Sequence, residues 1–381
     1  MVDFTVAIPT YNGETRLPEV LERLLTAKLP LSDELPLTKD NFSWEVIVVD
    51  NNSTDNTAQV VKYYQANWRA DCSLRYYLEA EQGAAYARQK AVDKARGKFI
   101  GFLDDDNLPT PDWVASAYAF GATHPQAGAY GSLIHGEFEV NPPDYIKSIA
   151  CFLAIIDRGP LAHKYEPQQK LLPPGAGLVV RTQVWQQTVP RRLFLNHKGR
   201  ETGLASEDLE VVLYIQRAGW EIWYNPQMQI YHKIPAWRYE KDYLISLMRC
   251  IGLSRHHLRM LRVSNWQRPF FTLIHLLNDL RKLVQYWLKT WRASSSDVLV
   301  ACERQLLLSI LISPYFLWKK RYWDWVSQKK YSQGVPVTET KLNVKNSPAN
   351  YSSTTKCLTA NSKFKIQNSK FKIDGITEKE S

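Results

Sequence analysis

Three consecutive carboxylates stand directly after an apolar run of the chain. Asp104, Asp105 and Asp106 follow the run Lys98–Leu103, which predicts a buried β-strand. Side chains two positions apart share one side of an extended segment, so Asp104 and Asp106 could converge on one ligand. Two carboxylates, water and phosphate oxygens form the ligand set that Mg²⁺ or Mn²⁺ takes when it carries a diphosphate. A solvated acidic turn explains the same residues, and the motif alone leaves both interpretations open.

A second carboxylate pair opens a predicted helix further along the chain. Glu207 and Asp208 follow a candidate N-cap, Ser206, at the start of the predicted helix 206–218. The helix dipole favours carboxylates in a first turn, which is a sufficient structural reason for the pair. The alternative is a general base, because an acceptor hydroxyl is a poor nucleophile until its proton is removed.

Two further side chains could complete such a site. His232 ends a predicted strand and could complete a metal shell or contact a phosphate, with Lys233 or Arg238 neutralising diphosphate charge. A lone histidine is more often structural. Arg88 lies in the alanine-rich predicted helix 83–95, where small neighbours suggest close packing against the sheet. It is either a surface cation or a cation that reaches the ligand edge.

These residues need a scaffold, and the N-terminal third predicts one by alternating β-rich and helical runs. The predicted strands are Phe4–Ile8, Glu45–Asp50, Leu74–Leu78 and Lys98–Leu103, and the predicted helices cover 15–27, 53–67 and 83–95. This rhythm predicts right-handed βαβ units and a mostly parallel sheet. The first, second and fourth strands each end in a polar cluster, and these clusters should meet at the sheet edge where ligands bind. Turns also favour Asp and Asn, so each cluster alone has a structural explanation.

The rest of the chain is predicted with fewer regular elements. Loops and a short helix are expected over 139–170, and short strands at Leu178–Arg181, Glu221–Tyr224 and Gln229–His232. Residues 237–330 are helical in pattern. The segment 331–381 is polar, contains the sequence NSKFKI twice, and is predicted to be a disordered tail.

Composition limits the class of protein. The chain has 381 residues, 45% of them apolar and 23% charged, which excludes wholesale disorder and a fibrous fold. The five cysteines show no CxxC spacing, so a disulfide framework or a structural zinc site is not expected, and a reducing compartment is the simpler interpretation. Neither a signal peptide nor the uninterrupted apolar run of about 20 residues that a spanning helix needs is evident.

The positive charge is confined to one region. Residues 1–232 hold 22 Lys and Arg against 28 Asp and Glu, whereas residues 233–330 hold 18 against 6. Basic residues mixed with Trp and Tyr are typical of an interfacial membrane helix. The alternative is that these helices pack on the preceding domain and that the aromatic residues form core. Nucleic-acid binding is not expected.

Six motifs occur in an order and spacing that resemble one known family. They are AIPTYNG, VVDNNSTDNT, GAAYARQKA, FLDDDN, SEDLE and WYNPQMQIYH. Over residues 1–240 the chain resembles the inverting family 2 glycosyltransferases, whose fold is GT-A. More narrowly, it is similar to the cyanobacterial glycosyltransferases of hormogonium polysaccharide biosynthesis. The resemblance implies a GT-A catalytic domain at 1–236, followed by a basic, Trp-rich helical extension at 237–330 and the tail at 331–381.

The resemblance also implies a role for each matched residue. The nucleotide-sugar donor, most simply a UDP-sugar, would lie against Pro9, Thr10, Tyr11, Asn12, Asp50, Asn52, Arg88, Asp104 and Asp105. The metal, Mn²⁺ or Mg²⁺, would be held by Asp106 with Asp104 and His232, and Asp105 is an alternative ligand. Asp208 would be the catalytic base, with Glu207 beside it, and Gly175–Gly177 would border the donor sugar and the acceptor.

The acceptor implied is a lipid-linked saccharide or a polysaccharide at the cytoplasmic face of the plasma membrane, with peripheral attachment. The sequence QRAGW at 216–220 lacks the QxxRW spacing of processive members, so transfer of single sugars is expected. A nucleotidyltransferase would need a Gly-rich basic loop that IPTYNGETR does not provide. A non-catalytic nucleotide-binding scaffold at the membrane surface would bind UDP and turn over nothing. Donor sugar, linkage and oligomeric state stay open.

Overall fold

The computed structural model of the chain describes residues 2–28, 42–167, 172–196, 204–291 and 297–332, with side chains to residue 323. The chain divides into two compact units at Leu317, and the described part of the second unit, 318–332, is helical. The predicted tail 331–381 lies outside the described residues apart from its first two positions. The predicted boundary at residue 236 stays a prediction.

Strands and helices alternate over most of the first unit. The strands are β1 (Phe4–Thr10), β2 (Trp44–Asp50), β3 (Cys72–Leu78), β4 (Phe99–Phe102), β5 (Asn107–Pro109), β6 (Ala127–Phe138), β7 (His163–Lys164), β8 (Val179–Arg181) and β9 (Glu221–Ile234). The helices are α1 (Leu17–Leu25), α2 (Thr57–Ala66), α3 (Ala84–Lys94), α4 (Trp113–Thr123), α5 (Ile146–Ile149), α6 (Thr182–Thr188), α7 (Glu207–Arg217), α8 (Lys241–Leu261), α9 (Arg268–Thr290) and α10 (Val298–Ser332).

One mixed sheet joins the described strands in the order β3-β2-β1-β4-β8-β6-β9-β5, and β7 pairs with β9. The longer ladders, β1–β2, β2–β3, β1–β4 and β6–β9, are parallel. Those of β4–β8, β5–β9, β6–β8 and β7–β9 are short and antiparallel. All seven residues of β2 are buried, as expected for a strand covered on both faces. The predicted α/β architecture with a mostly parallel sheet and a helical C-terminal part is confirmed.

The second half of the sheet differs from the sequence prediction. The two short strands predicted at 221–224 and 229–232 are one strand, β9. A register shift opposite Ser132 and Leu133 accommodates the segment between Asn225 and Gln229, so the strand passes Pro226 without ending. Helix α4 and strand β6 were not predicted. The 12-residue β6 lies between β8 and β9 and connects the two halves of the sheet.

The C-terminal helices pack on the sheet domain through polar as well as apolar contacts. Glu210 of α7 is fully buried and accepts hydrogen bonds from the amides of Phe194 and Leu195, at 3.2 and 2.7 Å. Its Oε1 also lies 2.9 Å from Nε2 of His257, on α8. Glu210 therefore joins three segments of the chain, which are helix α7, the loop before it and α8.

Replacement of Glu210 by Ala should destabilise the fold by about 3 kcal/mol, because two buried amides and His257 lose their acceptor together. Urea unfolding followed by circular dichroism measures this loss. The exposed Glu137 provides the matched control, and Glu137→Ala should change stability by less than about 0.5 kcal/mol. Equal unfolding midpoints for the two variants would contradict the joining role of Glu210.

Candidate active site

The polar clusters predicted after β1, β2 and β4 do meet at one edge of the sheet. Thr10 is paired with Asp50 in register, and the amide of Asn51 donates to the carbonyl of Thr10 at 2.8 Å. The edge borders an open cleft of about 400 Å³. Of the predicted site residues, those that line this cleft are Pro9, Thr10, Tyr11, Arg88, Asp104, Asp105, Asp106, Glu207, Asp208 and His232, together with Gly175.

Each of the three consecutive aspartates faces a different arginine. Asp104 pairs with Arg88, Asp105 with Arg16 and Asp106 with Arg238, at 2.9, 2.9 and 3.0 Å. The segment does not continue as a strand, because the backbone turns at 105 and 106 before β5 begins. The three carboxylates therefore pair with three separate arginines from one cleft wall, and the backbone that carries them is not an extended strand. The six charges balance within the cleft wall.

Asp105 is tied into the wall of the cleft. Its two oxygens accept bonds from Nε and Nη2 of Arg16, both at 2.9 Å, and Oδ2 also accepts the Thr10 hydroxyl at 2.6 Å. Burial raises the pKa of Asp105, and the hydrogen bonds and charge of Arg16 oppose that rise. A Cβ at Gly13 would lie 2.1 Å from the Thr10 hydroxyl oxygen, so the close turn after β1 needs a glycine. Asp105 thus positions the β1 loop.

Asp106 and His232 direct their acceptor atoms at the same cation. Nη1 of Arg238 lies 2.7 Å from Nε2 of His232, and Nη2 donates to Oδ2 of Asp106 at 3.0 Å. Nδ1 of His232 lies 2.9 Å from the carbonyl of Leu153, so Nδ1 carries the proton and the lone pair of Nε2 faces the cleft. Burial raises the pKa of Asp106, but the positive charges beside it, those of Arg238 and Arg16 among them, outweigh burial and hold that pKa well below its usual range.

The ligand atoms that Asp106 and His232 present here fit a divalent cation. A carboxylate oxygen and an imidazole nitrogen lie 3.7 Å apart, and both face one positive group. No cluster of three or more His, Cys, Asp or Glu is arranged for a metal within the described ranges, so Asp106 and His232 would supply only part of a coordination sphere. A site of this kind is completed by water and phosphate oxygens, as is usual for Mg²⁺ and Mn²⁺ bound with a diphosphate.

Arg88 links the aspartate cluster to the carboxylates of α7. The side chain is buried, and it donates to Oδ1 of Asp104 at 2.9 Å and to Oε1 of Glu207 at 2.7 Å. Burial lowers the pKa of the guanidinium, but the charges of Asp104, Glu207 and Asp208 outweigh burial and raise it. The small alanines of α3 let the helix lie against the sheet, so the predicted reach of Arg88 to the ligand edge is realised.

Asp208 presents a carboxylate to the cleft and forms no ion pair with any residue in the described part of the chain. Its Oδ2 accepts the amide of Gly175 at 2.6 Å, and its Oδ1 accepts the amide of Leu209 at 2.8 Å. Burial and the charge of Glu207 raise the pKa of Asp208 to about 6, against the opposing charge of Arg88. A Cβ at Gly175 would lie 3.0 Å from the Cβ of Asp208, so glycine permits the close approach. Ser206 is the N-cap of α7 but makes no capping bond.

Three predicted nucleotide-contacting residues lie outside the cleft lining. Asn12 connects two loops, since its side-chain oxygen Oδ1 accepts the amide of Thr54 at 2.8 Å. Asp50 is buried and accepts the Tyr76 hydroxyl at 2.7 Å. Asn52 has a left-handed backbone, with φ of 63°. The nucleotide contacts assigned to these three stay predictions.

The cleft also contains residues that the sequence analysis did not assign to the site. Asn51 accepts the amide of Gly83 at 2.6 Å and donates to the carbonyls of Glu79 and Glu81, which fixes the start of α3 beside the cleft. Arg16 reaches Asp105 across 89 residues of sequence. The remaining unassigned lining residues include Phe152, Tyr243 and Leu247. No local pattern marks any of these side chains, because tertiary pairing defines their positions.

Known glycosyltransferases are similar to this chain in sequence. Residues 5–178 match the family model of glycosyl transferase family 2. TuaG of Bacillus subtilis (strain 168), named as a teichuronic acid biosynthesis glycosyltransferase, is 26% identical over 170 residues, which cover 40% of this chain and 62% of that protein. The poly(ribitol-phosphate) β-N-acetylglucosaminyltransferase TarS of Staphylococcus aureus (strain Mu50) is 32% identical over 121 residues, 32% of this chain and 19% of TarS. The chain thus matches under two thirds of the length of either relative.

A solved structure shares the fold over a longer stretch. The mannosyltransferase PcManGT from Pyrobaculum calidifontis, in complex with GDP-Man and Mn²⁺, has a TM-score of 0.51 and 18% sequence identity, and the match covers 84% of this chain and 87% of that one. This similarity extends the GT-A fold beyond the family match. The family match covers residues 5–178, just under half of the chain, and over that range the chain is similar to glycosyl transferase family 2.

Proposed function

We propose that the protein transfers a sugar from a nucleotide-diphosphate sugar to an acceptor hydroxyl, with inversion at the anomeric carbon. The observation that carries the proposal is Asp208, a partly buried carboxylate whose pKa is raised to about 6 beside a cleft edged by cations. A carboxylate of that pKa is mostly ionised near neutral pH and is matched to accept a proton there.

In the proposed reaction the acceptor oxygen attacks the anomeric carbon of the donor. The bond from that carbon to the diphosphate breaks on the opposite face, and the acceptor proton passes to Asp208. The backbone amides of Gly175 and Leu209 hold the Asp208 carboxylate in place, so backbone groups rather than other flexible side chains fix its orientation. Glu207 is engaged by Arg88, which supports the assignment of the base to Asp208 rather than to its neighbour.

The part of the cleft wall where the three aspartates pair with arginines would stabilise the leaving diphosphate. Asp106, Asp104 and His232 would hold Mn²⁺ or Mg²⁺, which supplies neutralisation of the charge that develops on the diphosphate. Arg238 and Arg16 are partly exposed at the cleft and provide further positive charge for phosphate oxygens. Pro9, Thr10 and Tyr11, with Asp105 behind them, would border the nucleotide, for which we propose uridine.

We further propose an acceptor in polysaccharide biosynthesis, either lipid-linked or a growing polysaccharide, at the cytoplasmic face of the plasma membrane with peripheral attachment. The names of TuaG and TarS refer to teichuronic acid biosynthesis and to poly(ribitol-phosphate), and they support this context. The cleft wall formed by Phe152, Tyr243 and Leu247 offers aromatic and apolar surface to an acceptor. Of the alternatives, a scaffold would bind UDP without turnover, and a nucleotidyltransferase would release inorganic diphosphate from a nucleoside triphosphate.

Calorimetric titration with UDP, GDP and TDP, each with and without Mn²⁺, tests the donor site. We expect metal-dependent binding of UDP that is weakened at least about tenfold in Asp106→Asn, because the variant removes the charge that holds the cation. Asp144→Asn, whose side chain is fully exposed, is the matched control and should bind as the wild type does. Failure of all three nucleotides to bind would overturn the donor assignment, and binding without transfer of any UDP-sugar would favour the scaffold.

A further inference from the structure

Helix α9 turns its apolar side chains outward. Nine large apolar residues are exposed between Phe270 and Trp291, from 36% for Ile274 to 65% for Phe270, whereas the buried residue of α9 is an aspartate, Asp279. We call these nine the α9 stripe; they are Phe270, Leu273, Ile274, Leu277, Leu280, Val284, Trp287, Leu288 and Trp291. An ordinary surface helix buries its apolar face, so α9 has the reverse arrangement.

The spacing makes the stripe continuous. Successive members are mostly three or four positions apart, which places them on one side of the helix. Twenty-three residues extend about 35 Å at 1.5 Å per residue. Contiguous apolar surface of that length on a folded chain marks an interaction site, because scattered single residues are the norm elsewhere. Only six other large apolar side chains are exposed in the described part of 2–261, and they are dispersed over the sequence.

The charges beside the stripe are of one sign. Arg281, Lys282 and Lys289 lie on α9, and none of them forms an ion pair within the described residues. The single carboxylate of the helix, Asp279, is neutralised by both terminal nitrogens of Arg259 at 2.5 and 3.0 Å. An apolar face flanked by unpaired cations matches an anionic membrane surface. In a pair of identical stripes the same cations would face each other, which disfavours a second copy as occupant.

Helix α10 is held where it cannot readily cross a bilayer. Its segment Val298–Trp323 is long and apolar enough to span a membrane by length and composition. However, Ser313 donates to the carbonyl of Leu253 at 2.5 Å, and a Cβ at Gly252 would lie 2.5 Å from that of Ser309. This packing fixes the first half of α10 along α8, which carries four arginines or lysines. Spanning would either separate the two helices or carry those charges into hydrocarbon, at a cost of several kcal/mol.

We propose that the α9 stripe docks on an anionic lipid bilayer, with α9 lying in the interface plane and α10 remaining on α8. The hydroxyl of Tyr286 lies 3.4 Å from the carbonyl of Val300, so α9 approaches α10 on the side away from the stripe. The inference stands on the helical surface alone and does not depend on the proposed reaction.

Vesicle co-sedimentation of the full chain tests the proposal, with phosphatidylcholine vesicles compared with vesicles that also contain phosphatidylglycerol. We expect the wild type to bind the anionic vesicles. Binding should fall at least about tenfold in the triple variant Leu277→Ser, Val284→Ser, Trp287→Ser, because three apolar groups that would enter the bilayer are lost. The matched control replaces three exposed apolar residues elsewhere, Tyr63→Ser, Val140→Ser and Leu161→Ser, and should bind as the wild type does.

A second variant tests the charge argument without altering the apolar face. Arg281→Gln, Lys282→Gln and Lys289→Gln together should weaken binding to anionic vesicles on the order of 100-fold and leave the weaker binding to neutral vesicles unchanged. Circular dichroism and UDP titration confirm that each variant retains its fold and cleft, so a failed donor site is distinguished from a failed docking surface.

Three results would overturn the proposal. If both triple variants bind anionic vesicles as tightly as the wild type does, the α9 stripe does not contact the bilayer. A lipid-free dimer that the apolar variant dissociates, detected by sedimentation velocity, would assign the stripe to a second copy. Membrane-bound protein that resists alkaline carbonate extraction would show that the chain spans the bilayer rather than lying on it.

Discussion

Replacement of Asp208 by Asn is expected to lower kcat for sugar transfer by about 10²–10⁴-fold, the usual contribution of a positioned general base. Asparagine has the same shape, and its single side-chain oxygen can still accept one of the two amides, of Gly175 or Leu209, so the fold and donor binding should be retained. Initial-rate assays with a UDP-sugar panel measure the loss. Asp144→Asn makes the same chemical change at a fully exposed position and should leave kcat unchanged.

The pH profile provides an independent readout of the same residue. The proposed base must be ionised, and burial raises the pKa of Asp208 to about 6, so kcat/KM should fall below that pH and reach a plateau above it. The acidic limb should disappear from the residual activity of Asp208→Asn. A near-normal rate in the folded variant, or an unchanged limb, would assign the base to another group.

Replacement of Arg88 by Met is expected to reduce both stability and activity. The guanidinium is buried and pairs with Asp104 and Glu207, so its removal leaves two carboxylates without their cation. Breaking a buried pair from one side costs about 3–5 kcal/mol, and Asp104 is partly exposed, so the lower end of that range is expected here. Urea unfolding measures the stability, and the transfer assay should show a loss of at least about tenfold because Asp104 and the α7 carboxylates lose their common anchor.

Arg16 is the matched control for Arg88. It also pairs with an aspartate of the cluster, but its side chain is 44% exposed, so Arg16→Met should cost less than about 1 kcal/mol of stability. Equal destabilisation by the two substitutions would mean that burial does not distinguish them. If Arg88→Met unfolds at the wild-type midpoint, Asp104 and Glu207 have found other partners, and the linking role of Arg88 is wrong.

Local pattern predicted the half of the sheet whose strands are short apolar runs between helices. The strands β1, β2 and β4 were predicted because burial on both faces leaves short apolar runs in the sequence. The helices α3 and α7 were predicted from their helical pattern. Their strand ends then placed Asp104–Asp106 and Arg88 at one edge. Asp208 and His232 were identified through motifs and resemblance, and the structure brings both to the same cleft.

What the sequence did not predict depends on contacts between distant residues. Strand β6 contains Gly128, Gly131 and Gly136, which weaken a strand pattern, and β9 passes a proline because its partner tolerates the bulge. Asp104, Asp105 and Asp106 pair with three different arginines, which are 16, 89 and 132 residues away from their partners. Spacing along the chain contains no information on such pairings, so the shared-side model of the aspartates could not anticipate them.

The strand order has a consequence for synthesis on the ribosome. Strand β4 lies between β1 and β8, and β8 begins at Val179, some 80 positions after β4. Until that segment emerges, a growing chain holds a completed β3-β2-β1-β4 layer with one open hydrogen-bonding edge on a buried strand. Such an edge is a template for wrong pairing. Slowing elongation before Val179 should therefore increase aggregation, whereas slowing it after β9 should not.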